Sequence, residues 1–349
     1  MKILITGGAG FIGSAVVRSA IASGHEVVNL DAMTYSANLA NVADVSDSDR
    51  YAFERADVTD GATLRGIFAR HRPDAVMHLA AETHNDRAIE DPLAFVQSNV
   101  VGTAVLLEAA RAHWNSLSGE AKANFRFHHV STDEVFGELG DEGAFTEETP
   151  YDPNSPYSAS KAGADHLVRA WGRTYKMPVV LTNCSNNYGP YQFPEKLIPT
   201  VISRAMEGRE IPVYGQGLQS RDWLHVDDHA NALLTVLSKG RLGETYAIGG
   251  DACVKNIDLV NLLCAQLDKH APGNRPHAEK IAFVADRPGH DFRYAIDASK
   301  IRAELGWAPR HSLEAGIEDT VRWYVDNWAW VQDIRDRGFT SERLGLLRA

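Results

Sequence analysis

Cysteine is scarce in the 349 residues, with Cys184, Cys253 and Cys264 the only three. Their odd number and their spacing match no metal site, and a reducing compartment suits them. Long apolar runs are also missing. No stretch approaches the ~18–20 apolar residues that cross a bilayer, and Met1–Gly7 lacks a signal peptide's long apolar core and cleavage site. A cytoplasmic location is the expectation. Positive charge is in short supply: 35 Lys and Arg stand against 46 Asp and Glu, for a net charge of −11. Such a surface repels nucleic acid and anionic lipid, so any phosphate must be gripped by local groups. With 44% hydrophobic and 23% charged residues, disordered, collagen-like and coiled-coil readings are excluded.

What is present is an alternation of short β-rich runs and helical patterns. Lys2–Thr6, Glu26–Leu30, Tyr51–Arg55, Ala75–His78, Phe125–Ser131 and Val179–Thr182 read as strands, separated by helices near 11–22, 60–71, 92–113 and 155–175. That order predicts an α/β doubly wound parallel sheet. The pattern changes near Tyr188–Tyr191. Helices near 196–207, 227–238, 256–268 and 313–330 then mix with strands near 211–214, 244–248 and 281–285. The division expected is 1–185 as a nucleotide-binding domain and 186–349 as a smaller α+β region, with a soft boundary between interleaved lobes. Leu313, Ile317, Val321, Tyr324 and Trp328 recur at helical spacing and predict a packed terminal helix.

Gly7-Gly8-Ala9-Gly10-Phe11-Ile12-Gly13 follows the first strand and opens the first helix. Glycines here permit a tight turn and let a pyrophosphate reach backbone N–H groups at the positive helix end. Asp31 ends the second strand, where a carboxylate can hold ribose hydroxyls and repel a 2′-phosphate, which favours NAD over NADP. Asp57 and Val58 are placed to meet the adenine, and Leu79, Ala80 and Ala81 let the cofactor pass closely. The sheet is therefore expected to be Rossmann-like.

Tyr157 and Lys161 sit four apart, on one helix face. An ammonium beside a phenol favours phenolate and is expected to lower its pKa toward neutrality. A phenol so tuned can take a hydroxyl proton as hydride leaves the same carbon. Ser131–Gly137 closes the fifth strand with adjacent carboxyls, Asp133 and Glu134. Neighbouring carboxyls repel, so one pKa rises and one stays low, giving an acid and a base as loss of water requires. Asp222, His225, Asp227, Asp228 and His229 read as the acidic opening of a helix and not as a metal cluster. His128 and His129 point to opposite strand faces. No metal is expected.

A dinucleotide fingerprint followed by Tyr157 and Lys161 resembles the extended short-chain dehydrogenases/reductases. Within them, the chain resembles the dTDP-glucose 4,6-dehydratase family from end to end. The resemblance is carried by Ser131–Val135 with Gly137, Ser155–Lys161, Thr182–Tyr191, Phe193–Pro199, Arg221–Leu224 and Ala285–Asp291. It implies that Tyr157 is the base for the sugar 4-hydroxyl, while Lys161 tunes it and holds the nicotinamide ribose. By the same resemblance Thr132 bonds the 4-oxygen, Glu134 removes the C5 proton, and Asp133 protonates the departing 6-hydroxyl. Hydride then returns to C6, so NAD is regenerated on the enzyme. The resemblance adds Ala32, Met33, Thr34, Thr83, Ser98 and Asn187 to the cofactor site. It assigns the nucleotide sugar to Thr83, His84, Thr132, Asn186, Lys196 and Leu197. Further contacts are Pro212, Val213, Tyr214, Arg221, Asn256, Asp286, Arg287, Pro288, Gly289 and His290. Three positions depart from the family pattern. Asn85 stands where an apolar residue is common, and Phe136 and His225 each stand where tyrosine is frequent. UDP- or CDP-glucose 4,6-dehydration and UDP-sugar 4-epimerisation are the nearest alternatives, although an epimerase has no use for Asp133 and Glu134. A non-catalytic NAD sensor has no use for both Tyr157 and Lys161. Helices near 92–113 and 155–175 carry apolar residues on more than one face, and the resemblance implies that they pair into a homodimer.

Overall fold

The computed structural model describes residues 1–286 and 290–339. Six strands alternate with helices through the first half: β1 (Lys2–Thr6), β2 (Glu26–Asp31), β3 (Tyr51–Arg55), β4 (Ala75–His78), β5 (Arg126–Thr132) and β6 (Val179–Cys184). Six more follow: β7 (Asn186–Tyr188), β8 (Ile211–Tyr214), β9 (Ser220–His225), β10 (Thr245–Ile248), β11 (Cys253–Lys255) and β12 (Ile281–Val284). The main sheet has the order β10-β6-β5-β4-β1-β2-β3, and every pairing in it is parallel. Its central strands are continuous apolar runs because helices cover both faces.

On one face, helix Phe11–Ala22 packs against Val226–Lys239, with Val16, Val17 and Ala20 beside Leu233, Val236 and Leu237. On the other, Leu64, Ile67 and Phe68 meet Leu106, Leu107 and Val168 from helices Gly102–Ser116 and Pro156–Tyr175. A third core gathers Ile202, Ile211, Leu263, Ile317 and Tyr324 beneath a small sheet of order β11-β9-β7. The lobes interleave: helix Val226–Lys239 and β10 serve the main sheet although they lie well beyond residue 185.

The doubly wound architecture agrees with the sequence pattern, and three details differ. β7, β9 and β11 were not expected, because two of them span three residues and β9 carries Arg221 and Asp222 among its apolar residues. The terminal helix breaks at Asn327 into Leu313–Asp326 and Trp328–Asp336, where the Asn327 side chain donates to the Trp323 carbonyl at 2.9 Å. The helix expected to end near 113 runs to Ser116 through a widened turn at Val96–Val101. Buried Asn99 in that turn accepts from Glu82 N–H at 2.8 Å and donates to Ser160 Oγ at 2.8 Å.

The whole of Pro92–Ser116 spans 25 residues with a mean hydropathy of 1.4 in its most apolar window, long and apolar enough to cross a membrane. The sequence reading undervalued it because Gln97, Ser98, Asn99, Thr103 and Glu108 interrupt the run. In the fold, 44% of that window is buried, chiefly against neighbouring helices and the sheet.

Leu233→Ala should leave a hole between the two helices that back the sheet. The expected loss is about 2–5 kcal/mol, read as a lower urea midpoint with an unchanged slope.

Candidate active site

The glycine turn is built by exclusion. Gly7 has φ +74, and a Cβ there would lie 2.8 Å from Ala80 N; one on Gly13 would lie 2.0 Å from the Gly7 carbonyl oxygen. Only bare backbone fits, which leaves the first-turn N–H groups of Phe11, Ile12 and Gly13 without helical partners. These residues line a cleft of about 310 Å³ along the carboxyl ends of the strands. The cleft walls include every residue expected to touch the cofactor except Met33. Met33 sits at φ +58 and donates its N–H to Asp31 Oδ1 at 2.8 Å. Asp31 Oδ2 accepts from Ala9 N–H at 3.0 Å, so this carboxylate also braces the glycine turn. Burial pushes the Asp31 carboxyl up, and the two backbone N–H donors oppose it. The bare turn, the free helix end and the acidic residue closing β2 fit a dinucleotide such as NAD.

Tyr157 and Lys161 come from helix Pro156–Tyr175, whose start is fixed by a reciprocal capping pair, Ser155 and Ser158. Facing them, β5 ends at Thr132, and the short turn Asp133–Phe136 carries the two carboxyls. The Thr132 hydroxyl donates to Asp133 Oδ1 at 3.2 Å and accepts from Glu134 N–H at 3.3 Å. Asp133 is 2% exposed, and its Oδ2 has no partner. Burial holds its carboxyl well above the usual range, with Glu134 and Asp222 adding to the rise and Arg221 opposing it. Glu134 is half-buried and accepts from Asn85 Nδ2 at 3.0 Å.

The expected lowering of the Tyr157 phenol does not appear. Burial pushes it well up, and Glu134 adds to the effect. Burial outweighs the neighbouring Lys161 ammonium, which donates to the Val130 carbonyl at 2.9 Å. Burial lowers the Lys161 pKa, and the anionic Asp165 opposes that. Asp165 itself is sealed in the fold, 3.1 Å from His129 Nε2, and accepts from Ser131 Oγ at 2.9 Å and Tyr151 OH at 2.7 Å. The sequence reading passed over it, although Tyr157, Lys161, Asp165 and Arg169 repeat every four residues.

Tyr35, Arg87 and Glu195 were also missed. The Arg87 guanidinium lies 3.8 Å over the Tyr35 ring, Tyr35 OH donates to Glu195 Oε1 at 3.0 Å, and Arg87 Nε reaches Glu195 Oε2 at 3.3 Å. Together they clasp the segment after β2 to the loop before helix Leu197–Met206. The Phe193–Pro199 segment was marked, but only for Lys196 and Leu197.

Of the residues expected to meet the sugar nucleotide, Thr83, Thr132, Asn186 and Lys196 line the cleft, and Lys196 Nζ donates to the Thr83 carbonyl at 2.9 Å. His84 caps helix Asn85–Glu90. Leu197 packs on the third core, and Val213 in β8 is buried there. Pro212 and Tyr214 flank it; the Tyr214 ring meets His290, whose Nδ1 lies 2.6 Å from Asp286 Oδ1. Arg221 is buried, stacks 4.2 Å over Tyr294 and donates to the carbonyls of Ser220, Asp291 and Phe292. Asn256 opens helix Asn256–His270 with its Oδ1 buried and unpartnered. Arg287, Pro288 and Gly289 lie outside the described residues. Among the described residues no three His, Cys, Asp or Glu side chains come together as metal ligands. Asp222 instead accepts from Gly250 and Ala252 N–H, and Asp228 accepts from Arg310 and His311 N–H.

A bare glycine turn on a doubly wound sheet, with Tyr157 and Lys161 facing the same cleft, defines an extended short-chain dehydrogenase/reductase. Residues 4–320 match the family model described as GDP-mannose 4,6 dehydratase. The chain is 58% identical to the dTDP-glucose 4,6-dehydratase of Shigella flexneri, over 98% of its own length and 97% of that protein's. The solved dTDP-glucose 4,6-dehydratase of Streptomyces venezuelae, with NAD bound, superposes with a TM-score of 0.88 at 42% identity, covering 96% of this chain and 100% of that one. The UDP-glucose 4-epimerase of Thermotoga maritima is more distant, with a TM-score of 0.83 at 28% identity over 94% and 100% of the two chains. The chain belongs to the dTDP-glucose 4,6-dehydratase family.

Because Asp133 binds its proton more tightly folded than unfolded, its contribution to stability is full below the unfolded carboxyl pKa. It is lost as pH rises toward the folded value. Asp133→Asn should therefore melt higher than the native chain at pH 8, with the gap closing toward pH 4. Thermal unfolding across that range checks the sign.

Proposed function

We propose that the chain converts dTDP-glucose to dTDP-4-dehydro-6-deoxyglucose and water, with NAD held through the cycle. The observation that carries this is the pair at the end of β5, a sealed acid with a free oxygen beside a half-exposed carboxylate. When bound, NAD would accept the hydride from C4 and later return it to C6. Thr132 holds the 4-oxygen, and Tyr157 receives the 4-hydroxyl proton. A phenol whose pKa is raised is a strong base once ionised, and Lys161 is the cation on its helix face that favours that form. The 4-ketone makes the C5 hydrogen acidic. Glu134 takes that proton, the C6–O bond breaks, and Asp133 gives its proton to the departing oxygen, which leaves as water. Glu134 then returns a proton to C5. Lys196 and the clasp at Glu195 flank the mouth of the cleft, where the diphosphate must be held by local charge.

The same reading includes a homodimer. Leu93, Val96 and Val101 are 75%, 45% and 37% exposed along one helix. Helix Pro156–Tyr175 approaches closely beside it at Gly163, where a Cβ would lie 3.3 Å from Val100. A second copy covers this apolar stripe most simply. The cysteines are all free, which supports a reducing cytoplasm.

Purified protein offered dTDP-, UDP- and CDP-glucose should form 4-keto product fastest from the first; equal turnover of UDP-glucose would remove the nucleotide assignment. Tyr157→Phe should yield almost no NADH on mixing. Asp133→Asn, slowed by roughly 10²–10⁴ in elimination, should accumulate bound NADH. If Asp133→Asn turns over at the native rate, or stalls as early as Tyr157→Phe with NAD still bound, this division of labour is wrong. Light scattering should give twice the chain mass at micromolar concentration, and Leu93→Asp should shift it toward the monomer; a native monomer sinks the dimer.

A further inference from the structure

We propose that Asn85 is a positioning residue for the elimination step, its side-chain amide aiming and holding the Glu134 carboxylate. The inference rests on the reading of Glu134 as the group that removes the C5 proton.

The geometry is a short relay with one polarity. Ser155 Oγ donates to Asn85 Oδ1 at 3.1 Å, while Asn85 Nδ2 donates to Glu134 Oε2 at 3.0 Å. Ser155 cannot turn away freely, because the same oxygen accepts from Ser158 N–H at 3.1 Å as the cap of the helix bearing Tyr157. The amide turns its N–H toward Glu134, because an ionised carboxylate only accepts. Among the described residues it is the only side chain that donates to that carboxylate. Backbone support comes from Glu134 N–H on Thr132 Oγ1, which sets the turn and leaves the carboxylate to Asn85.

The rest of the neighbourhood disfavours a second negative charge. Asp133 is adjacent on the same turn with Asp222 behind it. Tyr157 faces Glu134 from the helix, and Tyr294 faces it from the segment after β12; both phenols feel its charge. Asp291 lies beside Tyr294. The opposing cations are committed elsewhere: Arg221 to three carbonyls and the Tyr294 ring, and Lys161 to Val130. An N–H donated to a carboxylate fixes where its oxygens point, and here Asn85 supplies it.

The test uses the NAD-loaded enzyme with dTDP-glucose and two variants, Asn85→Val and the isosteric Asn85→Asp. Single-turnover elimination, solvent-deuterium exchange at C5 and the first appearance of NADH are followed separately. Asn85→Val should slow elimination and C5 exchange about tenfold, with KM and the first appearance of NADH at native values. Asn85→Asp should slow both further, since it replaces a donor by a charge. Native elimination and exchange rates in both variants overturn the proposal, as does a loss confined to KM. Glu134→Gln, run alongside, separates the two readings. If it exchanges C5 at the native rate, the reading of Glu134 as base fails. If it blocks exchange while both Asn85 variants keep the native rates, only the role of Asn85 fails.

Discussion

Two carboxyl groups on consecutive residues cannot both stay ionised in a closed cleft, and cannot serve as acid and base unless their surroundings differ. The chain meets this constraint through the geometry at the end of β5. Where the strand gives way to the short turn at Asp133–Phe136, both side chains line the cleft, but Asp133 is sealed from water and Glu134 is only half-buried. Asp133 loses water and keeps its proton; Glu134 keeps partial exposure and gains an amide donor. The rest of the site follows from this asymmetry. Thr132 bonds both the Asp133 carboxyl and the Glu134 backbone, and the helix bearing Tyr157 starts at the serine that bonds the amide.

Much of this could be read from the residues alone, because the signals are local. The glycine turn, the strand-ending Asp31, the four-residue spacing of Tyr157 and Lys161, and the Asp133–Glu134 pair are each contained in one short segment. Six of the seven strands of the main sheet were equally plain as short β-rich runs between helices; the seventh, β10, lies beyond residue 185 and its pairing with β6 was not expected. What escaped depends on residues far apart in the chain. Tyr35 and Arg87 each lie more than a hundred residues from Glu195, and no pattern around Tyr35 announces a clasp. Asn85 could be seen as a departure but not as a donor, because its partners Glu134 and Ser155 lie on other elements. The error over Tyr157 has the same origin. Spacing puts Lys161 on the right face, yet it does not reveal how deeply the fold buries the phenol beside Glu134.

Asp165 shows how an acidic protein keeps a cation where it needs one. An ammonium sealed from water tends to lose its proton, and the nearby His129 cannot prevent that. The buried carboxylate is held charged by hydroxyls from Ser131 and Tyr151 and by the imidazole, and it sits one helical turn below Lys161. Two buried groups of opposite sign sustain each other in a region where neither would persist alone. The sequence carries this as a fourfold helical repeat that looks like an ordinary surface ladder until the fold turns it inward.

The return of the chain to add β10 beside β6 has a consequence during synthesis. When β6 leaves the ribosome, its outer edge has no neighbour, and the strand that will cover it emerges about sixty residues later. At ~5–20 residues per second, that edge is open for several seconds. Val179, Val180 and Leu181 lie along it, and an unpaired apolar edge is a template for pairing with another nascent chain. Helix Val226–Lys239 arrives just ahead of β10 and seals the sheet's face in the same interval. The main sheet is therefore complete only once the second half of the polypeptide has been made.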